Sequence, residues 1–582
     1  MRDRNLLSQL SLAVEIKLSK YLSATCFLVV VIILPEQNFD PINWPKLLAL
    51  SIGSFACLFL TILDLKMKSM NFQVSLLVLL GLVSCVSFVI NGPSSATFWG
   101  TQGRATGLLT YLSLIVLAIV ASNLTTKSAL NRIIRWFLFS GLFTVSYMAV
   151  QFLDLDPVDW SRNELNATLG NINFTSALLG MVLPASLIYV MNLDITAFKK
   201  FVIFISTYPV TIFLILESGS VQGIIGCLLA VLLIVHSTLM RRVNRPRLFL
   251  VSSIFLIATM FVGIFLTSKP KFLGGILFQE TVGFRLDYWS AAIEMLKENF
   301  IFGLGFDQYG LFYRAFRREE AALGSSLLRF SDSAHSTFLD FVVSSGFIAG
   351  LIFSVVLLLV TKNSLLILFG SSSELMKIVA ISWIAYLPQL MIGINQVGVG
   401  VWTWLFMGIL LGKSSGVSSK YLPAQKSDTL AVRKAMDGKT SVLSKDGLDR
   451  KSKIEADLPV SKLMMSLAGA LLGLTVALPP LFTDAQFNDA YKSGNLPEME
   501  RIIASWPSNS FHAEKTLELA LTSNSSELIL RITRSVVERY PRSMYGWQVL
   551  YDLRATPDLE RERAGSRLKQ LDPYFAEFNK IT

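Results

Sequence analysis

About thirteen apolar stretches, each long enough to cross a bilayer, recur along this chain, and they constrain its fold before any motif does. Crossing about 30 Å of hydrocarbon takes roughly 20 apolar residues in a helix. Such runs lie near 19–35, 46–64, 72–91, 105–123, 130–153, 174–193, 198–216, 219–238, 247–267, 337–361, 376–394, 396–412 and 462–482. The balance of residues agrees: 52% are hydrophobic and only 16% charged, unlike a water-soluble globule. The expected fold is all-α: a polytopic membrane protein with about twelve to thirteen transmembrane helices, a large extracytoplasmic loop and a helical-repeat-like tail.

Basic residues set the expected orientation, because Lys and Arg resist translocation whereas acidic residues contribute little. Arg2, Arg4, Lys17 and Lys20 precede or open the first run, which puts residues 1–18 in the cytoplasm. Lys66 and Lys68, then Lys127, Arg132 and Arg135, then Lys199 and Lys200, then Arg241, Arg242, Arg245 and Arg247 fall on that same side. Intervening loops carry Glu36 and Asp40, or Asp154, Asp156, Asp159 and Glu164, and face outward. The first run starts after about twenty residues without a small-residue cleavage site, so it reads as a retained anchor in the cytoplasmic membrane.

The net charge of +11 is then mostly a topology signal. Nucleic-acid binding is a poor account of it, since the basic residues are spread over several loops and form no stripe. Cys26, Cys57, Cys85 and Cys227 all lie in apolar segments, so neither disulfide chemistry nor structural zinc is expected.

Between the membrane domain, 19–412, and a last span at 462–482 lies a Lys-, Ser- and Asp-rich stretch, 413–461, that reads as a disordered cytoplasmic linker. Residues 483–582 form an outward tail in which Pro507, Pro541 and Pro573 stand 34 and 32 residues apart, each after a helix-like pattern. That period resembles a degenerate tetratricopeptide array of two or three units. A plain helical tail with chance prolines is the simpler alternative. Either kind of tail binds or scaffolds more readily than it catalyses.

The outward loop, 268–336, carries the chemistry. "FRLDYWSAAIEMLKEN" has Trp289, Ile293 and Leu296 at helical spacing, with Arg285 one turn before Trp289. The expectation is a short interfacial helix. "FGLGFDQYG" reads as a sharp turn and is weak as a phosphate loop, lacking a strand-to-helix context. In "YRAFRREEAAL", Arg314, Arg317 and Arg318 stand at i, i+3 and i+4 of an expected helix. For Arg317 and Arg318 surface charge balanced by Glu319 and Glu320 is an equal account; Arg314 is the better anion ligand. His335, in "SDSAHSTFLDF", precedes an apolar helix after a polar turn with Asp332 and Ser333. An imidazole there can exchange a proton near neutral pH. A helix-end histidine without function is common, but among His236, His335 and His512 only His335 shares a membrane face with the loop arginines.

The run "GFRLDYWSAAIEMLKENFIFGLGFDQYGLFY" followed by "DSAHSTFLDFVVSSGFIAGL", with "LGNINFTSALLGMVLP" upstream, resembles the O-antigen ligase and Wzy-type polymerase superfamily of membrane glycosyltransferases. The resemblance spans roughly 20–412. It implies transfer of a glycan from a polyprenyl pyrophosphate to an acceptor hydroxyl, with no cofactor, nucleotide sugar or obligatory metal. Carried over by motif, Arg285 holds the pyrophosphate and His335 is the catalytic base. Many family members have "SRG" where this chain has "ESGSVQG", so a cationic anchor is missing and Gln222 stands near its place. Gln222 can hydrogen-bond a phosphate but cannot neutralise it; a buried amide satisfied by a neighbouring helix is an equal reading. Arg104 or Arg314 could supply the lost charge. Ser336 stands where asparagine is frequent.

The implied partners are a polyprenyl-pyrophosphate-linked glycan, an acceptor glycan, lipid or protein, membrane lipids, and an envelope-assembly protein at the tail. A flippase of lipid-linked sugars would show paired halves or ionisable residues deep in several helices; neither is visible. A scaffold acting through the tail is a third reading.

Overall fold

The computed structural model describes residues 2–65, 71–160, 164–266, 280–323, 330–413, 459–523 and 525–574; the expected linker at 413–461 lies almost wholly outside them. Every apolar run becomes a helix. They are α1 (Arg2–Val31), α2 (Asn43–Leu65), α3 (Phe72–Ile90) and, after a five-residue α4 (Ser95–Trp99), α5 (Leu108–Ala121). There follow α6 (Lys127–Phe152), α7 (Ile172–Met191), α8 (Ala197–Glu217), α9 (Gln222–Val243) and α10 (Pro246–Leu266). The segment between α10 and the next spanning helix forms α11 (Glu280–Glu298), α12 (Tyr309–Phe316) and α13 (Glu319–Leu323). Spanning helices resume with α14 (Thr337–Phe369), α15 (Glu374–Ile392), α16 (Val397–Lys413) and α17 (Val460–Lys492). Among the described residues ten helices are long and apolar enough to cross a membrane, and α5 and α16 are shorter apolar ones. The protein is an all-α polytopic membrane protein.

Without a hydrophobic drive between helices in lipid, association relies on close backbone approach at small residues and on interhelical hydrogen bonds. Gly469 and Gly473 on α17 lie against the carbonyls of Phe55 and Ser51 on α2. Gly226 on α9 meets the Ala385 carbonyl of α15 in the same way. α15 and α16 are buried along most of their length, whereas α8 and α10 keep their apolar side chains at the periphery. Lys46 on α2 is fully enclosed and donates to the Val29, Val30 and Ile32 carbonyls at the end of α1, closing orphan acceptors of that helix.

Two features position the segment of α11 to α13. α14 breaks its helical path at Gly346, whose φ is 81°. The turn after α11 uses the gap: Leu304 N donates to Val343 O (2.9 Å), Gly305 N to Ser344 O (3.0 Å), and Phe347 N to Phe300 O (2.8 Å). Gly303 and Gly305, with φ of 70° and 95°, supply the sharp turn expected there. A side chain at Gly346 would run into the Ile301 carbonyl.

The boundary expected between span and tail at 482/483 is not a break. α17 continues through Pro479 and Pro480 to Lys492, so the tail grows out of a membrane helix. Beyond it α18 (Leu496–Ala504), α19 (Ser510–Ala520), α20 (Ser526–Arg539), α21 (Met544–Asp552) and α22 (Asp558–Leu571) each pack on the next. Pro507, Pro541 and Pro573 follow α18, α20 and α22. The tail folds back onto the α1–α2 connection and onto α4 and the loop after it. The Phe39 ring lies 5.2 to 6.0 Å from those of Phe487, Tyr491 and Phe511, and Trp99 donates to Val476 O at 2.8 Å. Asp484 accepts from Asp40 N (2.9 Å), Gln102 (2.8 Å) and Asn38 (3.3 Å), and pairs with His512 at 3.0 Å.

Candidate active site

His335 stands one residue before the cap of α14. Its φ of 49° is a left-handed conformation uncommon for a residue with a side chain, held by the surrounding bonds. Ser333 Oγ accepts from His335 N (3.2 Å), and Asp340, one turn into α14, accepts from Ala334 N (2.7 Å). Ser336 caps the helix by accepting from Leu339 N (3.3 Å). Thr337 N and Oγ1 both donate to Gly393 O, tying this end of α14 to that of α15.

The imidazole stacks on the Tyr288 ring, centroids 5.2 Å apart. Tyr288 belongs to α11, three residues after Arg285, so one helix face presents both a ring and a guanidinium to the histidine. The expected helix with Arg285 before Trp289 is present as α11, longer than expected at 19 residues. Burial pushes the Arg285 pKa down, and Nε meets no acceptor. Among the described residues no carboxylate forms an ion pair with it. His335 is lowered from its ordinary 6.5 to about 4, first by burial and next by the Arg285 charge, with Asp332 pulling the other way. Its imidazole is therefore neutral at ordinary pH.

Arg104 sits behind this pair in a different electrostatic state. Its Nε donates to Asp307 at 2.8 Å, while Asp340 and Asp332 lie 3.6 and 3.7 Å from the terminal nitrogens. Burial works against the charge, but the three carboxylates more than compensate and raise its pKa. Asp307 also accepts from Thr101 N, Thr101 Oγ1 and Thr106 N. As a phosphate ligand Arg104 would first have to leave partners that already neutralise it.

The three arginines expected on one helix are split, because α12 ends at Phe316 and Arg317 is extended. Arg317 is not surface charge: buried, it pairs with Asp572 of the tail at 2.6 Å. Arg318 pairs with Asp287 at 2.7 Å rather than with Glu319 or Glu320. Arg314 lies 3.7 Å from Asp572 and is pushed down by burial, with Asp572 opposing. It lines a cavity of about 670 Å³ between outer loops and tail, together with Asp332. Gln222, the first residue of α9, is buried with no donor for its Oε1 among the described residues. The Gly226 and Ala385 approach places it at the level of Gln389 on α15, an amide equally without partners.

The structure thus brings His335 and Arg285 together, links Arg104 to them through Asp332 and Asp340, and sets Arg314 on a neighbouring wall. No described contact joins Gln222 to that group. Residues 201–354 match the O-antigen ligase family. The matched segment runs from α8 into α14 and contains Gln222, Arg285, Arg314 and His335, while Arg104 lies outside it. The match supports the O-antigen ligase and Wzy superfamily, with a membrane glycosyltransferase-like function, and does not reach the tail. No curated protein matches the chain. Tyr288, Asp307 and Asp340 were missed as site residues. Tyr288 stood one turn from Arg285 and was open to notice, whereas Asp307 and Asp340 declare themselves only through Arg104, over 200 residues away.

Proposed function

We propose that the protein transfers a glycan from a polyprenyl pyrophosphate to an acceptor hydroxyl at the outer face of the cytoplasmic membrane. The observation that carries this reading is Arg285: a largely buried guanidinium without an ion-pair partner among the described residues, beside a neutral imidazole. An unpaired buried cation is costly, and an anionic ligand removes that cost. A diphosphate at the bilayer surface has the right charge and reach.

In the step proposed, the acceptor oxygen forms a bond to the anomeric carbon as the bond from that carbon to the pyrophosphate oxygen breaks. The hydroxyl proton passes to His335, which is unprotonated and able to take it. Charge growing on the departing pyrophosphate is met by Arg285, and Arg314 is placed to help. Arg104 orders Asp307, Asp332 and Asp340 around the histidine. Diphosphate bound on Arg285 also offsets the positive field on His335, so donor binding makes the imidazole a stronger base just when a base is required. Gln222, buried away from this group, has no part in the step.

The test is turnover by the purified protein in lipid nanodiscs with defined polyprenyl-pyrophosphate oligosaccharides, followed by mass spectrometry. Acceptor-linked or lengthened product is expected, with His335→Ala and Arg285→Ala each lowering kcat by about 10²–10³. Undiminished turnover in both variants at matched expression sinks the mechanism. Movement of donor between leaflets without product would favour a flippase instead.

A further inference from the structure

The cavity beside the candidate site is built by two parts of the chain that the sequence keeps far apart. Its volume of about 670 Å³ falls in the range of about 300–1,000 Å³ usual for ligand pockets, enough for a short oligosaccharide rather than a single ion. Phe330, Asp332 and Arg314 come from the outer loop, and Glu514, Tyr545 and Gln548 from the tail.

Two aromatic rings line the cavity, one from the loop and one from the tail: Phe330 is 53% exposed and Tyr545 36% exposed. Each keeps part of its ring open to the cavity. An aromatic face left open beside carboxylates and amides suits the C–H face of a sugar ring, whose hydroxyls donate to the carboxylates. The charges narrow the choice further. Arg314 faces Asp572 at 3.7 Å, and the Arg542 guanidinium lies over the Phe312 ring, 3.4 Å from its centroid. Carboxylates outnumber cations in the lining, Asp307, Asp332, Glu514 and Asp572 against Arg314 and Arg542, with Asp332 near Arg104 and Glu514 accepting from Ser543. An anionic glycan would meet like charge there. Asp332 also connects the cavity with the catalytic end, since its charge acts on His335 three residues later.

We infer that this cavity binds a neutral oligosaccharide between Phe330 and Tyr545, as the acceptor chain, with its reacting end leading past Asp332 toward His335. Only the naming of the bound chain as acceptor rests on the transferase reading. The tail is then half of a substrate site.

The experiment measures equilibrium binding to the full-length protein in nanodiscs. The probes are fluorescent tetrasaccharides, one neutral set of hexose and N-acetylhexosamine units and one hexuronate set. Saturable binding of neutral members is expected, with hexuronates weaker, and with Tyr545→Ala and Phe330→Ala each weakening binding about tenfold. Monodispersity and an unchanged unfolding temperature certify each variant; should Phe330→Ala fail these, Tyr545→Ala on the tail surface decides. Absence of saturable binding by every neutral probe overturns the inference, as does tighter hexuronate binding or wild-type affinity in the folded variants. The two proposals fail separately. Neutral binding without transfer from any donor sinks the transferase and leaves the cavity site, whereas transfer with an unchanged acceptor KM in Tyr545→Ala sinks the cavity site alone.

Discussion

Replacing Arg285 by glutamine removes the charge beside His335 while keeping a polar side chain of similar length, and the histidine should report it. In the folded protein the imidazole sits at about 4 against an ordinary 6.5, a gap worth on the order of 3 kcal/mol against the protonated form. Burial is the larger cause and Arg285 the second. A unit charge roughly 6 Å away in a half-wet site, with an effective dielectric constant of about 40, contributes roughly 1.4 kcal/mol, about one pH unit. Arg285→Gln should therefore raise the His335 midpoint by about one unit, still short of 6.5. Only three histidines exist in the chain, so ¹³C-histidine labelling gives three ring signals, and loss of one in His335→Ala assigns it. The sign extends to stability. Because the folded-state value is depressed, the unfolded chain binds the extra proton between about 4 and 6.5. The contribution is complete above 6.5, shrinks as the pH falls and levels off below about 4. A short prenyl pyrophosphate should move the wild-type midpoint upward. A wild-type signal titrating at 6.5, or one indifferent to Arg285→Gln, refutes the electrostatic coupling on which the proposed step depends.

Two further perturbations test the frame around the site. Asp484→Ala strips a buried acceptor from Asn38, the Asp40 amide, Gln102 and His512, and should cost about 3–5 kcal/mol, read as a lowered unfolding temperature and faster proteolysis of the tail. Gly346→Ala imposes a side chain where φ is 81° and the Ile301 carbonyl leaves no room, so a loss of at least about 2 kcal/mol is expected, seen as a reduced folded yield in detergent.

The membrane architecture was legible because its cause is one-dimensional: apolar length alone fixes that a helix crosses, and all the expected runs became helices. Arg285 and His335 were legible for another reason, since each sits in a local pattern, a helix one turn from Trp289 and a polar turn before a span. Pairing across the chain was not. Nothing in "YRAFRRE" announces that Arg317 turns inward to Asp572, 255 residues later, and the single residue that ends α12 at Phe316 decides it. Arg104 shows the same limit. Its basicity could be read, but not the three carboxylates that already occupy it.

That α17 passes unbroken from α2's side into the tail has a mechanical consequence. Each residue of a helix adds about 100° of rotation, so one inserted residue near Lys492 would swing Tyr545 and Gln548 away from Phe330 without touching any of them. Seated on α2 through Gly469 and Gly473, the helix carries the register of the membrane domain into the tail, so a shift of α17 along α2 would move Tyr545 relative to Phe330.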